Sequence, residues 1–171
     1  EDYIFGLKQE YESYLFFQKK ITACDQQIDR FIKEELKKHP DKTKLKTSAK
    51  PYKRVNKNAP KIKNLNQVAF QYFNGVDLLA IEGVSHATVL SVMSEIGPEG
   101  FQKFSSAKQF TSWLRLAPNN KISGGKILSH RIPKGSNRLK IALRQAANAI
   151  GNLKDTHLSN FFKRVAFRRG R

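Results

Sequence analysis

Residues 76–96 decide the fold and read VDLLAIEGVSHATVLSVMSEI. Apolar residues recur on both sides of Gly83, and the stretch from His86 to Ile96 has the length and composition of a buried helix. Ser85 stands where a residue would cap that helix. A short helix at 66–75, a hairpin that contains glycine and a second helix form the pattern of a helix-hairpin-helix motif. A plain helical turn with a capping serine is the alternative.

The hairpin of this pattern can hold a phosphate. Its amides and the N-terminus of the following helix present N–H groups that carry partial positive charge. The second glycine usual in such a hairpin is Ser85 here. Gly83 and Ser85 are therefore candidate phosphate contacts.

Residues 3–38 are predicted to form one long helix within a separate segment, 1–39. Neither glycine nor proline occurs between Lys8 and His39, and Pro40 ends the segment. Apolar residues recur at spacings of three and four, the pattern of a coiled-coil seam. The seam residues are Tyr14, Phe17, Ile21, Cys24, Ile28 and Phe31. The helix either packs on its own domain or pairs with a second chain, and we expect a homodimer through residues 3–38.

Two further segments follow the long helix. Residues 40–66 are rich in Lys, Asn and Pro, which predicts a basic linker or arm that contacts phosphates or is simply solvated. Residues 67–171 are predicted to form a small helical domain, truncated at its C-terminus. Within it Phe110, Trp113 and Leu114 have the spacing of core residues.

The predicted fold class is mainly α: a long N-terminal coiled-coil-like helix followed by a small helical domain that contains the helix-hairpin-helix motif. Further helices are expected over 137–151 and from about Leu158 onward. No stretch has the pattern of a convincing strand, and Ile127-Leu128 is the best place for a short one.

The charge distribution points to a polyanionic partner. The net charge is +18, and residues 100–171 contain sixteen Lys or Arg and one acid. Residues 41–75 contain nine bases and one acid, whereas residues 1–40 contain seven bases and eight acids. This pattern predicts a protein-contacting N-terminal segment and a nucleic-acid-binding remainder. No apolar run approaches the ~20 residues of a membrane span.

Cysteine and histidine usage bounds the chemistry. The single cysteine, Cys24, precludes an intrachain disulfide, and the four histidines lie far apart in sequence. No metal-ligand spacing is present, so no metal site and no cofactor are predicted within this chain.

A serine beside two glycines and several cations is the candidate reactive site. Glycines let a backbone approach a phosphodiester closely, and cations neutralise it. Ser123 is the candidate nucleophile, with Ser129 as the reserve; a serine that only shapes a turn is the alternative. The candidate DNA contacts are Gly83, Ser85, Lys121, Gly124, Gly125, Lys126, Arg131, Lys134, Arg138 and Arg144.

Several motifs in a fixed order carry a resemblance to a known family. After the helix-hairpin-helix pattern come FTSWLRLAP at 110–118, SGGK at 123–126, RIPKGSNRL at 131–139 and QAA at 145–147. Residues 76–171 resemble the C-terminal transposase domain of insertion-sequence family one-ten, with its eleven-eleven subgroup and the Piv-type DNA invertases. The long helix resembles the coiled-coil region of that family.

The resemblance implies a DNA transposase, a bacterial, cytoplasmic and nucleoid-associated enzyme of a mobile element. It implies an N-terminal RuvC-like nuclease domain, missing here, whose acidic tetrad binds a divalent metal such as Mg²⁺ and acts with a serine that Ser123 matches best. DNA is the implied partner, with a structured guide RNA. As a fragment, the chain alone is expected to be inactive. A non-catalytic helix-hairpin-helix nucleic-acid-binding module is the alternative.

Three departures from the family pattern affect the serine assignment. Many relatives have Ser-Thr or Ser-Ser where this chain has Ile122-Ser123, and Pro133 stands where the family usually has serine. The usual Gly-Asn or Gly-Asp that follows is Gly135-Ser136-Asn137. These shifts leave the assignment open between Ser123 and Ser129.

Overall fold

The structure, a computed structural model, describes residues 2–46, 59–135 and 137–170. It is mainly helical, with 63% helix and 4% strand, and a long N-terminal helix precedes the smaller ones. The predicted mainly α fold class is therefore confirmed, while the helix-hairpin-helix motif stays a prediction. The chain divides into an N-terminal unit, Glu1–Gly75, and a C-terminal unit, Val76–Arg171.

The N-terminal unit contains α1 (Asp2–Lys37), α2 (Pro40–Thr43) and α3 (Leu65–Tyr72). Pro40 is the first residue of α2, where its missing N–H leaves no helical bond unmade. One face of α1 packs on α3. The apolar core of this unit consists of Ile32, Leu36, Ile62, Leu65, Val68, Ala69, Tyr72 and Phe73.

The described ends of segment 40–66 are attached to this unit by hydrogen bonds. The backbone N–H of Lys61 donates to Oδ2 of buried Asp25 on α1, at 2.8 Å. The side-chain amide of Gln71 on α3 donates to the carbonyl of Thr43 on α2, at 2.8 Å. Residues 47–58, the middle of the predicted basic arm, lie outside the described residues.

The C-terminal unit contains α4 (His86–Ile96), α5 (Ala107–Trp113), α6 (Arg138–Ile150) and α7 (His157–Arg169). Two 3₁₀ turns, Leu78–Ala80 and Gly100–Lys103, lie before and after α4. Short polar side chains accept the first free amides of the four α-helices, which is why the helices begin where they do. These capping residues are Ser85, Ser106, Asn137 and Thr156.

The core of the C-terminal unit lies where α4 packs on α6. Val89, Leu114 and Leu139 are fully buried. The prediction that Trp113 is a core residue is wrong: its side chain is 41% exposed. Trp113 packs instead against the Phe104 ring, with ring centroids 5.4 Å apart, at the surface of the unit.

A β-hairpin lies between α5 and α6; Ile127-Leu128, the best place for a short strand in the sequence, lies within its second strand, whereas its first strand was not predicted. Strands β1 (Lys121–Ser123) and β2 (Lys126–Ser129) pair antiparallel through a two-residue turn. The turn residues Gly124 and Gly125 have φ of 55° and 73°. Two successive positive φ angles are those of a type I′ turn, which matches the twist of the strands and favours glycine. Lys-Ile-Ser in β1 alternates polar and apolar residues, but three residues are too few to indicate a strand, and Ile127-Leu128 in β2 breaks the alternation.

Candidate nucleic-acid interface

The hairpin pairs each candidate serine with a lysine. Its register places Ser123 opposite Lys126 beside the turn and Ser129 opposite Lys121 at the open end. Side chains directly opposite each other in an antiparallel pair have Cβ atoms about 5 Å apart and share one face of the ladder. The Ser123 hydroxyl therefore has the Lys126 cation as its cross-strand neighbour, whereas Ser129 and Lys121 pair beyond an irregularity of the ladder between Lys121 and Ile122.

Ser123 is exposed, as are both flanking glycines and Lys126. A Cβ atom placed on either Gly124 or Gly125 would meet no atom within 4 Å. The turn is thus open to an incoming ligand, and the Ser123 hydroxyl is accessible from solvent. Since neighbouring residues of a strand face opposite sides, the paired Ile122 and Ile127 lie on the other face of the hairpin.

A cleft of about 460 Å³ lies at the open end of the hairpin and brings three predicted contacts together. Among the residues that the structure describes, three cations line it, Lys121, Arg131 and Lys134, and none of the lining residues is acidic. Its remaining lining residues are Asn119, Leu128, Ser129, Ile132 and Pro133. Such a concentration of one sign of charge in a concave surface attracts an anion.

Hydrogen bonds hold the two sides of this cleft in place. The Asn119 N–H donates to the carbonyl of Arg131 at 3.0 Å. The Arg131 N–H donates to Oγ of Ser129 at 3.3 Å. Ser129 therefore lies in the cleft with its oxygen already engaged, whereas Ser123 lies at the far end of the hairpin, outside the lining residues.

Arg115 is a residue of this region that the sequence analysis missed. It has φ 55°, in the left-handed region, and its guanidinium donates to the carbonyl of Lys134. No local sequence signal identified it, because arginine ordinarily avoids this backbone conformation and its partner lies nineteen residues away.

The predicted contacts Gly83 and Ser85 have structural roles in the turn before α4. Gly83 has φ 78°, and a Cβ atom there would lie 2.7 Å from Ile150 Cγ1 on α6, so only glycine fits. The Ser85 hydroxyl accepts the Thr88 N–H at 3.3 Å and thereby caps α4. Both residues are only partly exposed. Their contact with phosphate stays a prediction.

Arg138 and Arg144 are exposed on α6, outside the residues that line the cleft. Arg138 begins α6, directly after its cap; Oδ1 of Asn137 accepts the Leu139 N–H at 2.8 Å. The cleft therefore contains three of the predicted cations, strand β2 carries Lys126 directly after the turn, and α6 carries two more.

Two of the acids in the C-terminal unit have defined partners. Asp77 accepts the amides of Leu79 and Ala80, and Glu99 forms an ion pair with Lys103 at 3.5 Å. Within residues 2–46, 59–135 and 137–170, no three His, Cys, Asp or Glu side chains cluster as metal ligands would. In the same described part of the chain, no helix combines the length and the apolar character that a membrane span needs.

The comparison with protein families identifies the class of protein. The family model described as Transposase IS116/IS110/IS902 family matches residues 77–163, which contain α4, α5, the hairpin, the cleft and α6. The class is therefore that of the transposases of insertion sequences. The chain belongs to the IS116/IS110/IS902 family of transposases, and its function is related to transposition and DNA recombination, which requires DNA binding. Comparison with curated proteins and with solved structures found no match.

Proposed function

We propose that this chain is the part of a transposase that binds DNA and supplies the serine for strand cleavage and transfer. The observation that carries the proposal is the hairpin itself: Ser123 is exposed, stands opposite Lys126, and lies on the same hairpin as a cleft lined by three cations. Lys121, Arg131 and Lys134 bind phosphates of the backbone, which positions the duplex without reading its sequence.

In the proposed reaction Oγ of Ser123 attacks a backbone phosphorus. A P–O bond to serine forms as the hydroxyl releases its proton to solvent, the P–O bond to one side of the strand breaks, and the departing oxygen takes up a proton to become a free hydroxyl. A hydroxyl of another strand then attacks the phosphoserine, which restores the serine and joins the new strand. Each step exchanges one phosphate ester for another, so no nucleotide hydrolysis is needed.

A serine hydroxyl is a weak nucleophile until a base or a metal activates it. We propose that a divalent metal, held by acidic residues of a RuvC-like nuclease domain elsewhere in the longer protein, neutralises charge on the phosphate. In this chain Lys126 stabilises the negative charge that develops on the phosphate oxygens as Ser123 attacks. The longer protein would act on the bacterial nucleoid in the cytoplasm, with a structured RNA guiding the choice of DNA.

The test is the covalent intermediate. Full-length protein with Ser123→Ala should form no DNA–protein adduct and give no recombination, while its affinity for duplex DNA stays within about twofold, because one exposed hydroxyl contributes little to binding. The matched control is Ser129→Ala, which should retain the adduct. An adduct that survives Ser123→Ala and disappears with Ser129→Ala would move the nucleophile to Ser129. Survival in both variants would assign the nucleophile to neither serine, and a wild-type protein that forms no adduct would favour a non-catalytic binding module.

We also propose that α1 pairs with the same helix of a second chain. Asp25, Ile32 and Leu36 of α1 are buried within the N-terminal unit. The predicted seam is a different face, and it is left exposed: Phe17 is 61% and Phe31 is 64% exposed. Water-exposed aromatic and aliphatic residues repeating every three or four positions on a 36-residue helix are the surface that a coiled-coil partner covers.

A further inference from the structure

Arg115 has a backbone conformation that its own chemistry disfavours. It directly follows Leu114, the fully buried residue that ends α5, and has φ 55°. A residue with a Cβ atom pays for this left-handed conformation, and such conformations persist where the surrounding structure holds them. Contacts of Arg115 must therefore keep it there.

Those contacts join three segments of the C-terminal unit. The Arg115 guanidinium donates to the carbonyl of Lys134, in the loop between β2 and α6. The carbonyl of Arg115 accepts from Nζ of Lys140, in the first turn of α6, at 2.9 Å. One residue thus links the end of α5, the loop that contributes Lys134 to the cleft, and the start of α6.

Gly135 completes the arrangement. Its φ is 127°, and a Cβ atom built on it would overlap the Arg115 guanidinium, with Cζ at 2.7 Å. The guanidinium therefore lies directly against the Gly135 backbone, and a residue with a side chain at 135 would displace it. Glycine at 135 and arginine at 115 form one structural unit, although they are twenty positions apart.

We propose that Arg115 is a positioning residue for the cationic cleft: it holds the main chain of Lys134 so that Lys134, Lys121 and Arg131 face neighbouring phosphates of the DNA backbone, and it does not contact those phosphates itself. The inference rests on the proposed function, in which this cleft binds the DNA backbone. Ordering the loop during folding removes an entropic cost that binding would otherwise have to meet.

The salt dependence of DNA binding separates positioning from direct contact. Each phosphate neutralised on duplex DNA contributes about 0.9 to the slope of log affinity against log salt concentration. Lys134→Ala should lower the slope of the full chain by about 0.9. Arg115→Gly should weaken binding of a fluorescent duplex about fivefold at fixed salt and leave the slope unchanged, because the cost is one of loop ordering.

Glycine is chosen as the replacement because it adopts φ 55° without strain, so the Arg115→Gly variant is expected to fold. Arg115→Gly should therefore keep the thermal midpoint of the wild type, while hydrogen exchange at the amides of Lys134 and Gly135 accelerates. Gly135→Ala, which displaces the guanidinium from the other side, should give the same loss of affinity. The double variant should bind no more weakly than either single variant, because both disrupt one contact.

Several results would overturn the inference. A slope reduced by about 0.9 in Arg115→Gly would make Arg115 a phosphate contact rather than a positioning residue. If Arg115→Gly accelerated hydrogen exchange at Lys134 and Gly135 but left the affinity for DNA unchanged, Arg115 would hold the loop without a role in DNA binding. Should Lys134→Ala change neither affinity nor slope while the wild type binds DNA, the cleft is not the phosphate site, and the proposed function of the cleft fails together with the role of Arg115.

Discussion

Ser123 stands directly opposite Lys126 across the two-residue turn of the hairpin. A type I′ turn enforces this register, since it leaves no residue between the paired positions except Gly124 and Gly125. The lysine three positions after the serine is thereby converted from a sequence neighbour into a cross-strand neighbour on the same face. A phosphate attacked by the Ser123 hydroxyl would therefore lie next to the Lys126 ammonium group.

Replacing Lys126 should slow the chemistry more than it weakens binding. We expect Lys126→Met to lower the rate of adduct formation in the full-length protein about tenfold, since it removes the exposed positive charge that lies beside the attacked phosphate. Lys126→Arg should retain most of the rate because it keeps the charge. Lys154→Met, at an exposed lysine of the same unit outside the hairpin, is the matched control. Equal rates for the Lys126→Met and Lys154→Met variants would remove Lys126 from the reaction.

The turn glycines should be distinguishable by what each position tolerates. Gly125→Ala places a Cβ atom at φ 73° and should destabilise the hairpin by about 1–2 kcal/mol. Gly124→Asn should be tolerated, because asparagine is favoured at the first position of a type I′ turn. Neither position has atoms within 4 Å of a new Cβ, so the difference measures backbone conformation alone.

Cross-strand nuclear Overhauser effects between Ile122 and Ile127 report the hairpin directly. They should weaken in Gly125→Ala and persist in Gly124→Asn, with the thermal midpoint unchanged in both because the hairpin is exposed and lies outside the core. Persistent effects in Gly125→Ala would mean that another turn geometry accommodates the alanine.

The α1 seam predicts a dimer that one charge can dissociate. Ile21→Lys places an ammonium in the centre of the proposed interface and should convert the dimer to a monomer, as measured by sedimentation equilibrium. Ala23→Lys is the matched control: it adds the same charge to an exposed position on another face of α1. A wild-type chain that stays monomeric at high concentration would contradict the pairing.

Stability of the C-terminal unit should fall at mildly acidic pH through His86. Burial lowers the pKa of His86 below its ordinary value of 6.5, since it disfavours the charged imidazolium. Above about pH 6.5 both states carry the neutral ring; below it the unfolded chain binds the proton first, so stability decreases until the folded pKa is also passed. The position of His86 at the N-terminus of α4 adds to the penalty, because the helix dipole repels a cation there.

The thermal midpoint of the wild type should thus fall between about pH 7.5 and 5.5, and His86→Gln should show a smaller fall over the same range. His157→Gln is the control, at an exposed histidine that also begins a helix, α7. Identical pH dependence in wild type and His86→Gln would show that other groups account for the acid sensitivity.

The helices were predictable because their signals are local. Ser85 and Ser106 each accept an amide three residues further along the chain, and α1 ends three residues before Pro40, whose ring could not continue it. The predicted helix over residues 86–96 agrees with α4, and the predicted long helix with α1. Spacing also identified Leu114 as a core position, and its side chain is fully buried.

Unlike the helices, the burial of individual side chains and the β-hairpin had no local sequence signal. Trp113 and Leu114 are adjacent and both apolar, yet only Leu114 meets the core, because neighbouring helical positions lie about 100° apart and the packing partner decides which is covered. The two strands have only three and four residues and are exposed on both faces, so the polar-apolar alternation of Lys-Ile-Ser in β1 was too short to indicate a strand.

The candidate site likewise has a part that was predictable from the sequence and a part that only the folded chain determined. Residue types alone were sufficient to single out Ser123, the two glycines and the cations, since hydroxyl, flexible backbone and positive charge each suit a phosphodiester irrespective of fold. Only the folded chain placed Lys126 opposite Ser123, put Ser129 in the cleft instead, and joined Arg115 to Lys134. Caps and turns depend on atoms a few residues apart, whereas a cleft depends on segments that meet only when α5, the hairpin and α6 have packed.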